Sequence, residues 1–298
     1  MNEYVEAWTE NDLNNGFTYQ WNPDDGKSPM LKITKSSLGT YGFCRGSYVM
    51  NYDPFGNGKI KGPPTEAMLR GTEVHNAQEA FWDLVDTEEM MEHIDDPNKL
   101  VKSFMALYPE TNDETTSSLY KGMASWSAER FIDCVKDGTL EFFKPVGNEV
   151  RLNAKFDVNG VQVHLQGIID RLFIHEGSYV PLELKTGVWK DSKATHMRKE
   201  MAFYKMLFDN ATDEEKIAEG LDPNMEFGYW GWFFPASNYI FLEPVKARTE
   251  QSVLNSMQKL VDSYMTKEFP FDDFYKKCRK CGLFSVCEKG EGGITYDW

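Results

Sequence analysis

The chain is poor in positive charge. Its 298 residues carry 32 lysines and arginines against 47 aspartates and glutamates, a formal net charge of −15. A basic footprint that would release counterions from phosphates is therefore not a bulk property of this protein. Contact with nucleic acid has to come from a local strip. Two stretches qualify: Lys185, Lys190, Lys193, His196, Arg198, Lys199 and Lys205, and then Lys276, Lys277, Arg279 and Lys280. Long apolar runs are missing too. Nothing approaches the roughly 20 apolar residues of a membrane span, so no membrane partner is expected. The acidic, polar first thirty residues lack the basic and apolar regions of a secretory signal. Without a secretory route, the sequon Asn210-Ala211-Thr212 is a chance match. Cysteine is scarce and odd in number, with five residues: Cys44, Cys134, Cys278, Cys281 and Cys287. That argues against a disulfide framework and for a reducing, cytoplasmic setting in which some thiols bind metal. No internal repeat or helicase motif is present, and the Walker-type phosphate loop that a fused motor would need is missing.

What is present suits a folded domain. The chain is 41% hydrophobic and 14% aromatic, and its length allows one large domain with a sizeable core. Residues 1–30 read as an irregular lead-in. The stretch LKITKSSLGTYGFC places a short helix around Ser36 and Ser37 that reaches Cys44, and a Gly/Pro-rich loop follows at 53–64. Thr65 opens a helix on which Met68, Val74, Ala77, Phe81 and Leu84 recur at helical spacing. Further helices are predicted near 97–108 and 115–137, where Cys134 reads as a small core residue. Then the texture changes. Segments 148–157, 161–174 and 179–185 are rich in β-branched residues and are divided by Asn159-Gly160 and Glu176-Gly177, the first a strong hairpin signal. A helix at 192–209, strands near 226–234 and 239–243, and a helix at 247–267 complete the pattern. The expected fold class is α/β: a central mixed sheet flanked by helices, with a helical N-terminal elaboration.

The chemistry is concentrated in GIIDRLFIHEGSYVPLELKTG. Asp170 is expected to end one apolar strand, with Glu183 and Lys185 on the next. Alternation points Glu183 and Lys185 to the same face, and the Glu176-Gly177 turn brings Asp170 beside them. Two hard oxygen donors so placed suit Mg²⁺ or Mn²⁺. Such an ion polarises a phosphodiester and generates hydroxide, with Lys185 orienting the water or neutralising charge. The competing reading makes Glu183 and Lys185 ordinary strand-edge charges and Asp170 a turn cap. Against it, charged residues embedded in IID and LELK runs are costly unless paired or metal-bound.

These strands resemble the G-x-x-D-R and E-x-K-T-G strands of RecB-like PD-(D/E)XK nucleases. The upstream RGTEVHNAQEAF is similar to that family's G-x-x-x-H helix, a resemblance that implies His75 as a third metal ligand. RKEMAFYKML falls where the family carries a Q-x-x-x-Y helix. Tyr204 matches the tyrosine, either stacking on a base or packing, and Arg198 stands alongside in the implied nucleic-acid contact. Glu200 occupies the glutamine's place. An ionised glutamate only accepts hydrogen bonds, so Glu200 repels phosphate unless it joins a metal or pairs with Arg198 or Lys199.

Cys278, Cys281 and Cys287 are clustered, with Cys44 far upstream. The set resembles the iron–sulfur nucleases of the same superfamily, including CRISPR-associated RecB-like exonucleases and AddB-type subunits. That resemblance implies a [4Fe–4S] cluster on the four thiolates, stapling the start of the domain to its end; the alternative is a buried Cys44 and a zinc-binding or empty tail. It also implies a restriction-endonuclease-like core over residues 31–290, closed by the cluster, with a tail at 291–298. The expected activity is phosphodiester hydrolysis on DNA ends or single strands, in company with DNA-processing or recombination proteins. The alternatives are a catalytically weak nuclease-like binding module and a zinc-stabilised RNA-processing protein.

Overall fold

The computed structural model describes residues 19–21, 29–52, 59–60, 64–266, 268–270, 278–279 and 281–287. The tail at 291–298, most of the 53–64 loop, most of the 1–30 lead-in, and Lys276, Lys277 and Lys280 of the second basic strip lie outside the described residues.

Strand β1 (Tyr19–Trp21) pairs antiparallel with β2 (Pro29–Thr34), so part of the expected irregular lead-in is sheet. Thr34 ends β2 and caps the helix that follows, α1 (Lys35–Phe43): its hydroxyl accepts from the Ser37 amide, and Ser37 Oγ accepts from the Thr34 amide. That reciprocal box satisfies two amides left bare at the helix start and turns the chain sharply out of the sheet. Cys44 closes α1, and α2 (Arg45–Tyr52) follows directly. Helix α3 (Glu66–Leu84) is capped by Thr65, as its sequence predicts. Next come α4 (Thr87–Met91), α5 (Pro97–Met105) and the long α6 (Glu114–Asp137), each opened by an aspartate whose carboxylate accepts first-turn amides.

Strands β3 (Gly147–Val158), β4 (Val161–His175) and β5 (Ser178–Leu184) form two hairpins. Both two-residue turns have positive φ throughout, 53° and 78° at Asn159-Gly160 and 49° and 70° at Glu176-Gly177. Such turns match the right-handed twist of the flanking strands. A 3-10 turn at Asp191–Lys193 leads into α7 (Ala194–Asn210). Helix α8 (Asp213–Ala218), strands β6 (Tyr229–Phe234) and β7 (Tyr239–Pro244), and α9 (Ala247–Thr266) complete the described order. The short helices α2, α4 and α8 were not anticipated, because one or two turns carry too little periodicity to read.

The sheet is organised around β4. One edge of β4 is paired antiparallel to β3 from Gly147↔Leu172 to Val158↔Val161. The other edge is shared. Parallel β2 takes Val163 to Gln166, and antiparallel β5 takes Leu172 to His175. Beyond β5 lie parallel β6 and antiparallel β7. One core joins α1, α7 and α9 to the sheet through residues such as Leu31, Ile33, Leu165, Met201, Leu207 and Leu260. A second packs α3, α5 and α6 through Val74, Phe81, Phe104, Met123 and Phe131 against Phe173, Leu182, Leu184 and Phe233. Helices thus cover both faces of a mixed sheet, as the pattern of elements predicts.

Candidate active site

The shared edge of β4 creates the site. Between Gln166, where β2 leaves, and Leu172, where β5 joins, β4 has no ladder partner on that side among the described residues. Asp170 stands in this gap. It does not end its strand as expected; β4 runs on to His175. Pairing of β4 with β5 stops at Leu172↔Pro181, and two residues further along each strand stand Asp170 and Glu183. There the strands part, and the Leu184 amide donates to Asp170 Oδ2 at 3.3 Å instead of joining a ladder. Leu182 and Leu184 face the α3–α5–α6 core, so alternation turns Glu183 the other way, toward α1 and α7. Lys185 is on the same side, as the sequence predicts.

Glu183 is 5% exposed and sits between two cations. Its Oε1 accepts from Lys35 Nζ at 2.6 Å and from Lys185 Nζ at 3.0 Å. Its Oε2 is buried and meets no hydrogen-bond donor. Burial pushes this carboxyl up, but the charges of Lys35 and Lys185 override that and hold it at about 2. Asp170 goes the other way: burial and the neighbouring Glu183 raise it, against the pull of Arg171 and His75. The two carboxylates are thus pushed apart in acidity, a mark of sites that work with protons or cations.

His75, on α3, closes the gap from the opposite face. Its Nε2 lies 3.2 Å from the Leu184 carbonyl oxygen and its Nδ1 lies 3.3 Å from Asp170 Oδ2. A neutral imidazole has one N–H. The carbonyl can only accept, so that proton belongs on Nε2, and a lone pair on Nδ1 then faces the Asp170 carboxylate. Burial lowers the affinity of His75 for a second proton. The Nδ1–Oδ2 position therefore suits a proton held by Asp170 or a cation between the two.

Lys185 bridges two carboxylates. Besides Glu183, it donates to Glu200 Oε2 at 2.9 Å, and His196 Nε2 lies 3.4 Å from Glu200 Oε1. Burial opposes the charge on Lys185, but Glu183 and Glu200 together raise its pKa. Glu200 is itself held low, the hydrogen bond from His196 and the charge of Lys185 overcoming burial. Its partners are Lys185 and His196, not the Arg198 or Lys199 considered from sequence. Arg198 instead forks onto Glu243 with Nε and Nη2. Tyr204 is 1% exposed and its ring lies under Lys35 Nζ at 4.7 Å, so it packs and offers no face to a base. Burial, the charges of Glu183, Asp170 and Glu200, and a weak hydrogen bond toward Glu183 outside ordinary bonding geometry push its hydroxyl well above the usual range.

A cavity of about 510 Å³ opens over this centre, lined by His75, Glu183, Lys185, Lys193, His196 and Glu200. A larger groove of about 840 Å³ shares His196 and Glu200 with it and continues along Lys35, Thr40, Phe43 and Lys199. Cys281, Gly282 and Leu283 line that groove together with Gly42 and Phe43, so the tail does return to the end of α1 where Cys44 sits. No disulfide joins the five cysteines, and Cys134 is buried in α6 as expected.

Among the described residues, no group of three or more His, Cys, Asp or Glu is arranged to hold a metal ion. The four expected cluster cysteines form no such group. At the fork where β4 and β5 part, Lys35 and Lys185 hold Glu183, while His75 and Asp170 face one another. The fork nevertheless fits a hard divalent cation in its chemistry, with two carboxylates side by side and one buried oxygen that no donor satisfies. Sequence reasoning missed Lys35 and placed His196 only in the basic strip, not as a partner of Glu200. No local motif marks Lys35, which reaches Glu183 across 148 positions only because β2 and β5 share one edge of β4.

A family model described as PD-(D/E)XK nuclease superfamily matches residues 32–288. No curated protein matches the chain. The solved structure described as "Crystal structure of SSO0001" is similar at 16% identity over 67% of this chain and 96% of that one, with a TM-score of 0.32, too distant a likeness to add to the argument. No helix among the described residues is long and apolar enough to cross a membrane. The family match covers most of the chain, and the chain belongs to the PD-(D/E)XK nuclease superfamily, whose members are generally phosphodiester hydrolases that usually use Mg²⁺ or Mn²⁺.

Proposed function

We propose that this protein is a metal-dependent deoxyribonuclease acting on DNA ends or single strands, with Asp170, Glu183 and Lys185 as its catalytic residues. The observation that carries the reading is Glu183 Oε2, a buried carboxylate oxygen without a donor, beside a second carboxylate and a lysine held between two anions. Asp170 and Glu183 would hold the divalent ion, with His75 as a third ligand. The ion would polarise the phosphodiester and lower the pKa of water.

The remaining roles follow from the chain's own groups. Lys185 keeps its proton, because two carboxylates stabilise the charged form, so it acts as a fixed positive charge that orients water and balances the phosphorane. Asp170 is the weaker acid of the pair, raised by burial and by Glu183, so an arriving cation would relieve the repulsion between the two carboxylates. Lys193 and Lys199, with His196 between them as a hydrogen-bonding group, supply a local positive path along the cavity and groove on an acidic body. This local path supports DNA as substrate and answers the objection raised by the net charge.

The finer parts of the reading are an exonuclease mode leaving 5′-phosphate ends, a single domain over 31–290, and work with recombination or other DNA-processing partners in a reducing cytoplasm. An iron–sulfur cluster on Cys44, Cys278, Cys281 and Cys287, and with it the RecB-like iron–sulfur branch, is supported by the cysteine spacing and by the tail's return to α1. Side-chain convergence does not support it. Anaerobic purification with iron and zinc analysis tests it: a colourless, iron-free protein removes the cluster from the account.

Incubation with end-labelled single- and double-stranded DNA and Mn²⁺ tests the activity. Wild type should shorten the label and Asp170→Ala should not. Equal cleavage by both proteins would sink the assignment.

A further inference from the structure

The fork carries one more cation than the D…E-x-K pattern accounts for. Lys35 is the first residue of α1, directly after Thr34, whose register places it opposite Gln166 at the end of the β2–β4 ladder. Its ammonium bonds to Glu183 Oε1 at 2.6 Å and rests over the Tyr204 ring at 4.7 Å. Among the described residues no second carboxylate lies in direct contact with it, Asp170 and Glu200 acting on it from further off. Lys185 has one, because Glu200 also holds it at 2.9 Å. The two lysines on Glu183 are therefore not equivalent: one is anchored twice, the other once.

A cation arriving on Glu183 has to contend with both. An ammonium and a divalent ion on one carboxylate repel each other strongly at a buried site. Lys185 can retain Glu200 as its counterion when Glu183 is taken. Lys35 would lose its one direct anionic contact, leaving the Tyr204 ring and the longer-range charges of Asp170 and Glu200. Its side chain is 21% exposed and lines the wide groove along with Lys199 and His196, so the direction open to it is into that groove. An unpaired ammonium there, one side chain from the scissile position, would seek a phosphate oxygen.

Resting on the nuclease reading above, we propose that Lys35 competes with the divalent ion for Glu183 and, once displaced, binds a backbone phosphate of the DNA strand in the groove, while Glu200 retains Lys185. Lys35 is thus a positioning and substrate-binding residue that couples metal loading to strand binding. Glu200, the departure from the family's glutamine, acquires a role in the same arrangement: it keeps Lys185 in place when Lys35 lets go.

The test is calorimetric titration of Mn²⁺ into EDTA-stripped full-length protein without DNA, comparing wild type, Lys35→Met, Lys35→Arg and Asp170→Asn. Lys35→Met should bind Mn²⁺ about tenfold more tightly, within the usual range of such couplings, and Lys35→Arg should stay near wild type. A merely structural role cannot produce this result, since structural damage weakens metal binding. With Ca²⁺ present, the slope of log affinity for single-stranded DNA against log salt should fall by about 0.7 in Lys35→Met, the loss of one phosphate contact. If Lys35→Met does not fold, Lys35→Gln takes its place in both measurements. Unchanged or weaker Mn²⁺ binding by the variant, with Asp170→Asn still abolishing it, overturns the inference and leaves the nuclease reading standing. Mn²⁺ binding by Asp170→Asn equal to wild type overturns both.

Discussion

Two buried glutamates on the strands that flank β6 behave alike as acids and differ in what surrounds them. Glu183 is 5% exposed and Glu243 is 8% exposed, and positive partners hold both at about 2. Glu243 is saturated. Its Oε1 accepts from Arg198 Nε and from Trp230 Nε1 at 3.0 Å, and its Oε2 accepts from Arg198 Nη2 at 2.9 Å and Lys246 Nζ at 2.7 Å. Glu183 has two donors on one oxygen and none on the other. A carboxylate that only ties elements together gains by filling every lone pair. One that must accept a cation keeps a lone pair open and carries the unfavourable energy of a bare buried acceptor. The distinction lies in satisfaction, not in burial or acidity.

Breaking each glutamate in turn should separate the two roles. Glu183→Gln or Asp170→Asn should lower DNA cleavage by about a thousandfold, the scale of losing a charged group aimed at the reacting centre. The melting temperature of Asp170→Asn should hold or rise, since it relieves repulsion between two carboxylates. A gel assay paired with a thermal melt reads both. Glu243→Gln should do the reverse, costing about 2 kcal/mol of stability because it leaves Arg198 without its fork, with allowance for the half-exposed Lys246. Cleavage per folded molecule should stay near wild type. A thousandfold loss of activity in folded Glu243→Gln would erase the distinction.

Acid should sharpen the same comparison. The ordinary carboxyl value is 4.5 and Glu243 in the fold titrates at about 2. A depressed folded value means that the stabilisation is fully present above about pH 4.5 and is lost as the pH falls toward 2. Melts of wild type across that window should drop more steeply than those of Glu243→Gln, and parallel slopes would show that the network contributes nothing. The smallest effect is expected at the rim. Glu200→Gln should lower KM for DNA by a few-fold, by removing a negative charge from the cavity, and lower kcat by a similar factor, by loosening Lys185. A rise in KM would mean that Glu200 contacts the strand rather than Lys185.

Much of this was legible before any coordinates. The two hairpins followed from turn residues and alternation, and the Glu183-x-Lys185 spacing put both side chains on one face because strand periodicity is two. Burial on both faces of β4 at Ile169–Phe173 showed as apolar residues on either side of Asp170 and Arg171. Arg198 was misread because its partner Glu243 lies 45 positions away on β7, and a basic residue in a basic strip carries no local mark of being already paired. Tyr204 left stacking and packing open; its depth under Lys35 is set by how closely α7 lies on the sheet, a distance no spacing rule supplies.

Local chemistry in the chain settled the longer elements, which residues share a face, and the grouping of Asp170 with Glu183 and Lys185. Those follow from periodicity, capping and turn geometry over a few residues at a time. Where β2 stops along β4, how far β5 diverges, and therefore that Lys35 meets Glu183 while Oε2 is left bare, came from packing the whole sheet between its two helical layers. Contacts across more than a hundred positions depend on register and on which edge of a strand is shared, and no stretch of sequence encodes either one locally.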